Sequence, residues 1–180
     1  IYQDSPVSLA AEKEYARAAS QQETLPPHLA EVLAKDALYP LTEADKQRVW
    51  MDRMKLLPYP HSLPKFAQAV DWTSFDATND ANSLLRHWAP PSPSVALLLL
   101  GPSIANPRFR AYAVHCLERL ADEELRNYML QLCQALKFEA FHDSALARFL
   151  LRRALVSTRV IGHVFFWSLR AELHVEASNE

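Results

Sequence analysis

The reactive and metal-ligating side chains of this chain are seven histidines, two cysteines and scattered acids. No two histidines lie three to five residues apart and no HExxH pattern occurs, so a helical metal site is not indicated. His115 lies at the edge of an apolar stripe, where we expect packing or a satisfied hydrogen bond in preference to ligand binding. We expect the same of His163. The sequence therefore predicts no catalytic residues and no metal site in this chain.

Glycine is scarce, because only Gly101 and Gly162 occur in 180 residues. A phosphate-binding loop or a GxSxG nucleophile turn needs two or more glycines close together, so neither is expected. The cysteines, Cys116 and Cys133, lie 17 residues apart within apolar helical patterns. We expect buried thiols of a reducing compartment, with a disulfide as the alternative.

The elements that hold these side chains are predicted to be helices. Leu and Ala are abundant, whereas Ile and Val together number 13, and this balance favours helix over strand. Twelve prolines divide the first part of the chain into segments of helical length, and none occurs after Pro107. The predicted N-caps of the later helices are Thr42, Asp76, Ser94, Asp122, and Asp143 or Ser144.

Apolar stripes at helical spacing are clearest in the second half, for example from Phe109 through Ala113 to Leu117. Every second helix start, near Thr42, Asp76, Asn106 and Asp143, recurs after 30 to 37 residues, which fits stacked helical hairpins as in α-solenoids. The run 165–167, Phe-Phe-Trp, is too wide for one core stripe, so we expect the last helix to be buried on several sides and to meet a neighbouring domain with one face. Gly162 would let another helix approach closely.

Charge and hydropathy exclude two further classes of protein. The net charge of −2 and the lack of a basic stripe argue against nucleic-acid binding. The longest apolar run, residues 95–100, is far too short to span a bilayer. A basic cluster, Arg148, Arg152, Arg153 and Arg159, is expected to form a solvated helix face or to pack against another domain, and acidic lipid headgroups or a partner are the alternative.

Several blocks of the sequence, in order, resemble the helical accessory (PIK) domain of phosphoinositide 3-kinases. The resemblance covers roughly residues 27–175, and its last block is most similar to the class I catalytic subunits. The blocks are LTEADK at 41–46 with Trp50, LPK at 63–65 with Val70 and Trp72, WAP at 88–90, RAYAV at 110–114, LRNYMLQLCQALKFE at 125–139, DSALARFLLRRAL at 143–155 and IGHVFFWSLRAE at 161–172.

The resemblance implies an all-α fold, a right-handed superhelix of antiparallel helix pairs of the armadillo or HEAT type. Residues 1–25 would link it to a preceding membrane-binding domain, 26–176 would form the helical domain, and 177–180 would begin a linker to a kinase domain. The chain begins without Met and without a signal segment, so we expect a cytoplasmic fragment of a larger protein.

The resemblance also implies the function of a non-catalytic scaffold. The parent enzyme would transfer the γ-phosphate of ATP to the inositol 3-hydroxyl of phosphatidylinositol lipids at a membrane surface, to which it would be recruited peripherally. ATP and Mg²⁺ would bind in the kinase domain, and this chain would hold no cofactor. Because the phosphate-binding loop and the metal-binding acids of phosphoryl transfer are missing here, the chain is not expected to be an enzyme on its own.

Two sets of interface residues follow from the resemblance. Glu43 matches an acid to which a phosphotyrosine-binding regulatory subunit attaches in class I enzymes, although Pro40 and Ala44 stand where the best-known patch has a second acid and a glutamine. The other reading of Glu43 is a first-turn acid that stabilises the helix dipole. His163, Phe166, Trp167 and Arg170 are candidates for contact with the kinase domain. The alternative for the whole chain is a free-standing helical-repeat adaptor that binds proteins.

Overall fold

The structure, a computed structural model, describes residues 25–37 and 39–177, with side chains as far as Glu172. In this part of the chain all regular structure is helical, which confirms the predicted all-α class. The chain divides into two compact units, residues 1–90 and 91–180. The predicted linkers at 1–25 and 177–180 fall almost wholly outside the described residues, and the right-handed superhelix stays a prediction.

The first unit is built from short helices separated by prolines. Its described elements are α1 (Pro27–Ala34), α2 (Glu43–Met51), α3 (Arg53–Leu56), a 3-10 turn (Pro60–Ser62), α4 (Leu63–Ala69) and α5 (Phe75–Leu84). Helix α2 packs against α4, and α1 packs against α2. Proline occupies the first turn of α1, where its missing N–H costs no hydrogen bond.

The core of the first unit is an aromatic stack. The rings of Trp50 and Phe66 lie parallel with centroids 6.1 Å apart, and Trp88 packs on Phe66 at 4.8 Å. The Trp88 indole N–H donates to the carbonyl of Tyr59, so its polar end is satisfied inside the unit. Four apolar residues at helical spacing in and just after α4 are buried: Leu63, Phe66, Ala67 and Val70.

The second unit holds the longer helices. Its described elements are α6 (Pro93–Leu98), α7 (Pro107–Leu117), α8 (Asp122–Ala135), a 3-10 turn (Leu136–Phe138), α9 (Ala145–Val156), a π-helical turn (Thr158–Gly162) and α10 (His163–Ala177). Helix α7 packs against α6 and α9, and α8 packs against α10. The core comes from stripes that the sequence predicted, including Phe109, Leu117, Met129, Leu132, Phe149 and Leu150.

Two of the five predicted N-caps are confirmed, and three differ. The Thr42 and Ser144 side chains accept from the N–H of Asp45 and Ala147, as predicted. Helix α5 is capped by Ser74, so Asp76 lies in its first turn. Helix α8 begins at Asp122 itself, and α6 begins at Pro93 after Ser92, whose side chain makes no capping hydrogen bond.

Candidate functional site

Four predicted contact residues, His163, Phe166, Trp167 and Arg170, lie close together on one exposed side of α10, and we call them the α10 strip. Phe166 is 57% exposed and Trp167 is 51% exposed, although both are large aromatic groups. Spacings of three and four residues place these side chains on neighbouring turns of one helix face. The structure thus brings all four together, whereas their role in binding a kinase domain stays a prediction.

The indole of Trp167 is the centre of the strip. Its Nε1–H donates to Nε2 of His163 at 3.1 Å, and the Phe166 ring meets it edge-on at 5.4 Å between centroids. The Arg170 guanidinium carbon lies 5.2 Å from the centre of the Trp167 ring. An aromatic ring packed edge-on and a cation near the ring face are both favourable contacts for an indole, and Phe166 and Arg170 supply them. The strip is therefore a pre-ordered aromatic surface with one permanent positive charge.

The other side of α10 is anchored in the second unit. Phe165 is buried, and the Glu172 carboxylate pairs with Lys137, which lies in the 3-10 turn after α8, at 2.7 Å. The amide of Gln134 on α8 donates to the same carboxylate. Hydrogen bonds from Lys137 and Gln134 hold the pKa of Glu172 below its usual value. The described part of α10 thus has one buried side and one exposed side, whereas the width of the run had indicated burial on several sides. Contact of the exposed side with a neighbouring domain stays a prediction.

Gly162 lies at the end of the π-helical turn that precedes the strip. A Cβ atom at this position would lie 2.9 Å from the carbonyl oxygen of Ala154 on α9. This close approach of backbone to backbone explains why glycine stands here. The position fixes where α10 starts relative to α9, and therefore where the strip is presented. The expected close approach is present, and the approaching group is the preceding helix.

Glu43 is the first residue of α2, and its side chain is 83% exposed. Its carboxylate pairs with Lys46 one turn later at 2.7 Å. Its neighbour Asp45 is buried and lies near Lys35 and Arg48. A hydrogen bond with the Thr42 side chain, aided by Lys35 and Arg48, keeps the pKa of Asp45 below its usual value. Glu43 is accessible to a partner, and its first-turn position also suits the helix dipole.

Three arginines of the predicted basic cluster lie on α9 and are paired, and the fourth, Arg159, is exposed in the π-helical turn. Arg148 pairs with Asp143, Arg152 with Glu118, and Arg153 with Asp122. An open groove of about 230 Å³ lies between α7 and α9, lined by Ala111, Val114, His115, Glu118, Ala145, Arg148, Phe149 and Arg152. Because acids of the same unit already meet these guanidinium groups, the groove is close to charge balance.

Two buried cations were not predicted from the sequence. Arg110 on α7 is 3% exposed, pairs with Glu139 at 2.8 Å and donates to the carbonyls of Leu100 and Ala135. Lys65 on α4 is 2% exposed and donates to the carbonyl of Tyr39 at 2.6 Å. Burial lowers the pKa of Lys65. Both residues lie in blocks that resemble the family, but their types alone predict exposed positions.

The remaining reactive side chains of the described residues do not form a metal-binding cluster. Within the described part of the chain, no three His, Cys, Asp or Glu side chains form a group that could hold a metal ion. Cys116 and Cys133 are free thiols, and burial raises the pKa of Cys116 and raises that of Cys133 to about 12. Thiols with raised pKa values are poor nucleophiles. None of the helices in the described residues has the length and apolar character needed to cross a bilayer.

Comparison with known proteins agrees with these features. The profile of the phosphoinositide 3-kinase family accessory domain (PIK domain) matches residues 17–180. Phosphatidylinositol 3-kinase 1 of Dictyostelium discoideum is 42% identical over 144 residues, covering 80% of this chain and 9% of that protein. Phosphatidylinositol 3-kinase 2 of the same organism is 34% identical over 152 residues, covering 84% of this chain and 8% of that protein.

A human relative is similar to about the same degree. Phosphatidylinositol 4-phosphate 3-kinase C2 domain-containing subunit beta is 40% identical over 143 residues, covering 79% of this chain and 9% of that protein. The chain therefore spans less than a tenth of the length of these curated relatives. With the family profile matching nearly its whole length and its described residues all helical, the chain belongs to the phosphoinositide 3-kinase family, as its accessory (PIK) domain.

Proposed function

We propose that this domain is the non-catalytic scaffold of a class I phosphatidylinositol 3-kinase and that the α10 strip packs against the kinase domain of that enzyme. The parent would use ATP and Mg²⁺, bound in its kinase domain, to phosphorylate the inositol 3-hydroxyl of membrane lipids. No residue of this chain is assigned to either cofactor. The parent would work in the cytoplasm and be recruited peripherally to membranes, with a membrane-binding domain also attached to the scaffold.

The α10 strip is the observation that carries this proposal. Phe166 and Trp167, each about half exposed, lie in contact with each other, and a contiguous exposed apolar patch is typical of an interaction surface. Trp and Arg are the residue types that dominate the binding energy of protein interfaces. Here the contacts of Trp167 with His163 and Arg170 reduce the side-chain freedom that binding would remove. The strip therefore has the chemistry and the order of an interdomain contact.

The test is a pull-down of the 180-residue chain against a separately expressed kinase domain of a class I relative. Phe166→Asp places a charge in the strip, and we expect binding to be lost. Phe141→Asp is the matched control, because Phe141 is 70% exposed in the same unit and lies outside the strip. Equal loss in both variants contradicts the proposal. Failure of a folded, helical wild-type chain to bind favours the free-standing adaptor.

We also propose that Glu43 contacts a phosphotyrosine-binding regulatory subunit that inhibits the parent. Its carboxylate is exposed at the start of α2 and pairs with Lys46 of the same helix. Glu43→Lys should therefore raise the basal lipid kinase activity of a parent bound to such a subunit. Glu123→Lys is the control, since Glu123 is an exposed first-turn acid of α8. Equal effects of both changes would indicate a helix-dipole role alone.

A further inference from the structure

Ser92 lies in the proline-rich segment Pro90-Pro91-Ser92-Pro93, next to the boundary between the two compact units. The side chain is exposed, as is that of Ser94. A serine followed directly by proline occurs at one other place in the chain, Ser5-Pro6, which is outside the described residues. Ser92 is therefore the Ser-Pro position whose structure is known.

The backbone at Ser92 is extended, with φ −65° and ψ 160°. Proline after it disfavours the helical conformation, so the local sequence favours this geometry. Prolines 90, 91 and 93 have no N–H to donate, which leaves few backbone hydrogen bonds to hold the segment in place. The carbonyl of Ser92 accepts the first hydrogen bond of α6, from the N–H of Ala96 at 2.9 Å. Ser92 itself is thus extended, and α6 begins at the next residue, Pro93.

The hydroxyl of Ser92 is not needed by the fold. It makes no capping hydrogen bond to α6, in contrast to Thr42, Ser74 and Ser144 at their own helices. Its contact is with the hydroxyl of Ser94 at 3.0 Å, on the surface. A group can therefore be attached to this oxygen without breaking a structural hydrogen bond.

We propose that Ser92 is a phosphorylation site for a proline-directed serine/threonine protein kinase. The Ser92 hydroxyl oxygen would attack the γ-phosphorus of the ATP held by that kinase. The new O–P bond replaces the bond to the β-phosphate, ADP leaves, and the hydroxyl proton passes to the catalytic base of the kinase. Such kinases accept a serine only when proline follows it, a condition that Ser92 meets and Ser94, followed by Val95, does not.

The modification would change the charge of the segment where the two units join. A phosphoserine carries about −1.5 to −2 charges near pH 7 and three strong acceptor oxygens. The described acids and bases nearest in sequence are Arg86 and His87, so the new charge would enter a stretch without carboxylates.

The test is phosphorylation of the folded 180-residue chain by a purified proline-directed kinase with Mg·ATP, in a Ser5→Ala background. Circular dichroism checks that each variant is helical. The tryptic peptide from His87 to Arg108 contains Ser92, Ser94 and Ser103, and fragment ions in mass spectrometry distinguish them. We expect phosphate on Ser92, its loss in Ser92→Ala and in Pro93→Ala, and no change in Ser94→Ala.

A synthetic peptide covering residues 86–98 separates motif from fold. Phosphorylation of the peptide but not of the folded chain would overturn the proposal, because the fold would then hide the site. Absence of phosphate from both would overturn it as well. Equal labelling of Ser92 in the wild-type chain and in Pro93→Ala would show that the reaction is not proline-directed, with the same consequence.

Discussion

Among single residues, Arg110 is a buried cation whose contacts hold parts of the second unit together. Its guanidinium pairs with Glu139, whose side chain is 11% exposed, and also donates to carbonyls at the end of α6 and of α8. An unpaired charge costs far more free energy when it is buried than when it is at the surface, so Arg110 and Glu139 each need the other. Arg110 thereby links three segments that are distant in sequence.

Replacing Arg110 with Ala should therefore lower the free energy of unfolding by about 3–5 kcal/mol, because Glu139 would stay buried without its partner. Arg108→Ala, on the exposed side of the same helix, should change it by less than about 0.5 kcal/mol. Urea denaturation followed by circular dichroism measures both. Similar losses for the two variants would contradict the assigned role of Arg110.

A second prediction concerns Asp45 and pH. Its pKa is lowered in the folded state, chiefly by the hydrogen bond with Thr42 and then by Lys35. The stabilisation is therefore fully present above the unfolded-state pKa of about 3.9 and is lost as the pH falls through the folded-state value. Asp45→Asn should be less stable than the wild type at pH 7, and the difference should shrink below about pH 4.

Thermal unfolding across pH measures this difference. Asp76→Asn is the control, since Asp76 is an exposed first-turn acid of α5. A gap between Asp45→Asn and wild type that stays constant from pH 7 to about pH 3 would contradict the assigned ionic role of Asp45.

Among the helices and turns, the connection from α9 to α10 is the most constrained. Gly162→Ala would place a methyl group 2.9 Å from the Ala154 carbonyl oxygen, whereas at Gly101 the nearest atom would be 3.3 Å away. Both contacts are with backbone, which moves less readily than a side chain. We expect a loss of about 1–3 kcal/mol for Gly162→Ala and a smaller one for Gly101→Ala. Urea denaturation compares them, and an equal or larger loss at Gly101 would contradict this reading.

Apolar periodicity predicted the helices well because burial of one face is what defines them. All four residues of the α9 stripe, Leu146, Phe149, Leu150 and Ala154, are buried. Exact helix starts were harder to predict, since Ser74 and Asp76 are both good cap residues two positions apart. The π-helical turn at 158–162 has no periodic signal at all. Burial of Arg110 depends on Glu139, which lies 29 residues away, and local sequence does not encode that contact.

At the level of the whole molecule, the second unit has two candidate surfaces for a domain contact, the arginines of α9 and the α10 strip. The arginines of α9 are mostly matched by Asp143, Glu118 and Asp122, so a solvated face explains them. The α10 strip has no such explanation within the unit, because its aromatic rings remain half exposed. The resemblance located these residues, and the structure adds that they share one face. Charge and aromatic exposure together make the strip the stronger candidate for a domain contact.

Site-directed photo-crosslinking tests the central proposal in the full-length parent. A photoreactive phenylalanine analogue replaces Phe166, and mass spectrometry identifies the peptides joined to it after illumination. We expect crosslinks from position 166 to the kinase domain of the same polypeptide, and none from the same analogue at the exposed control Phe141. Crosslinks from position 166 only to other proteins, or none at all, would contradict the assignment of the α10 strip to the kinase boundary.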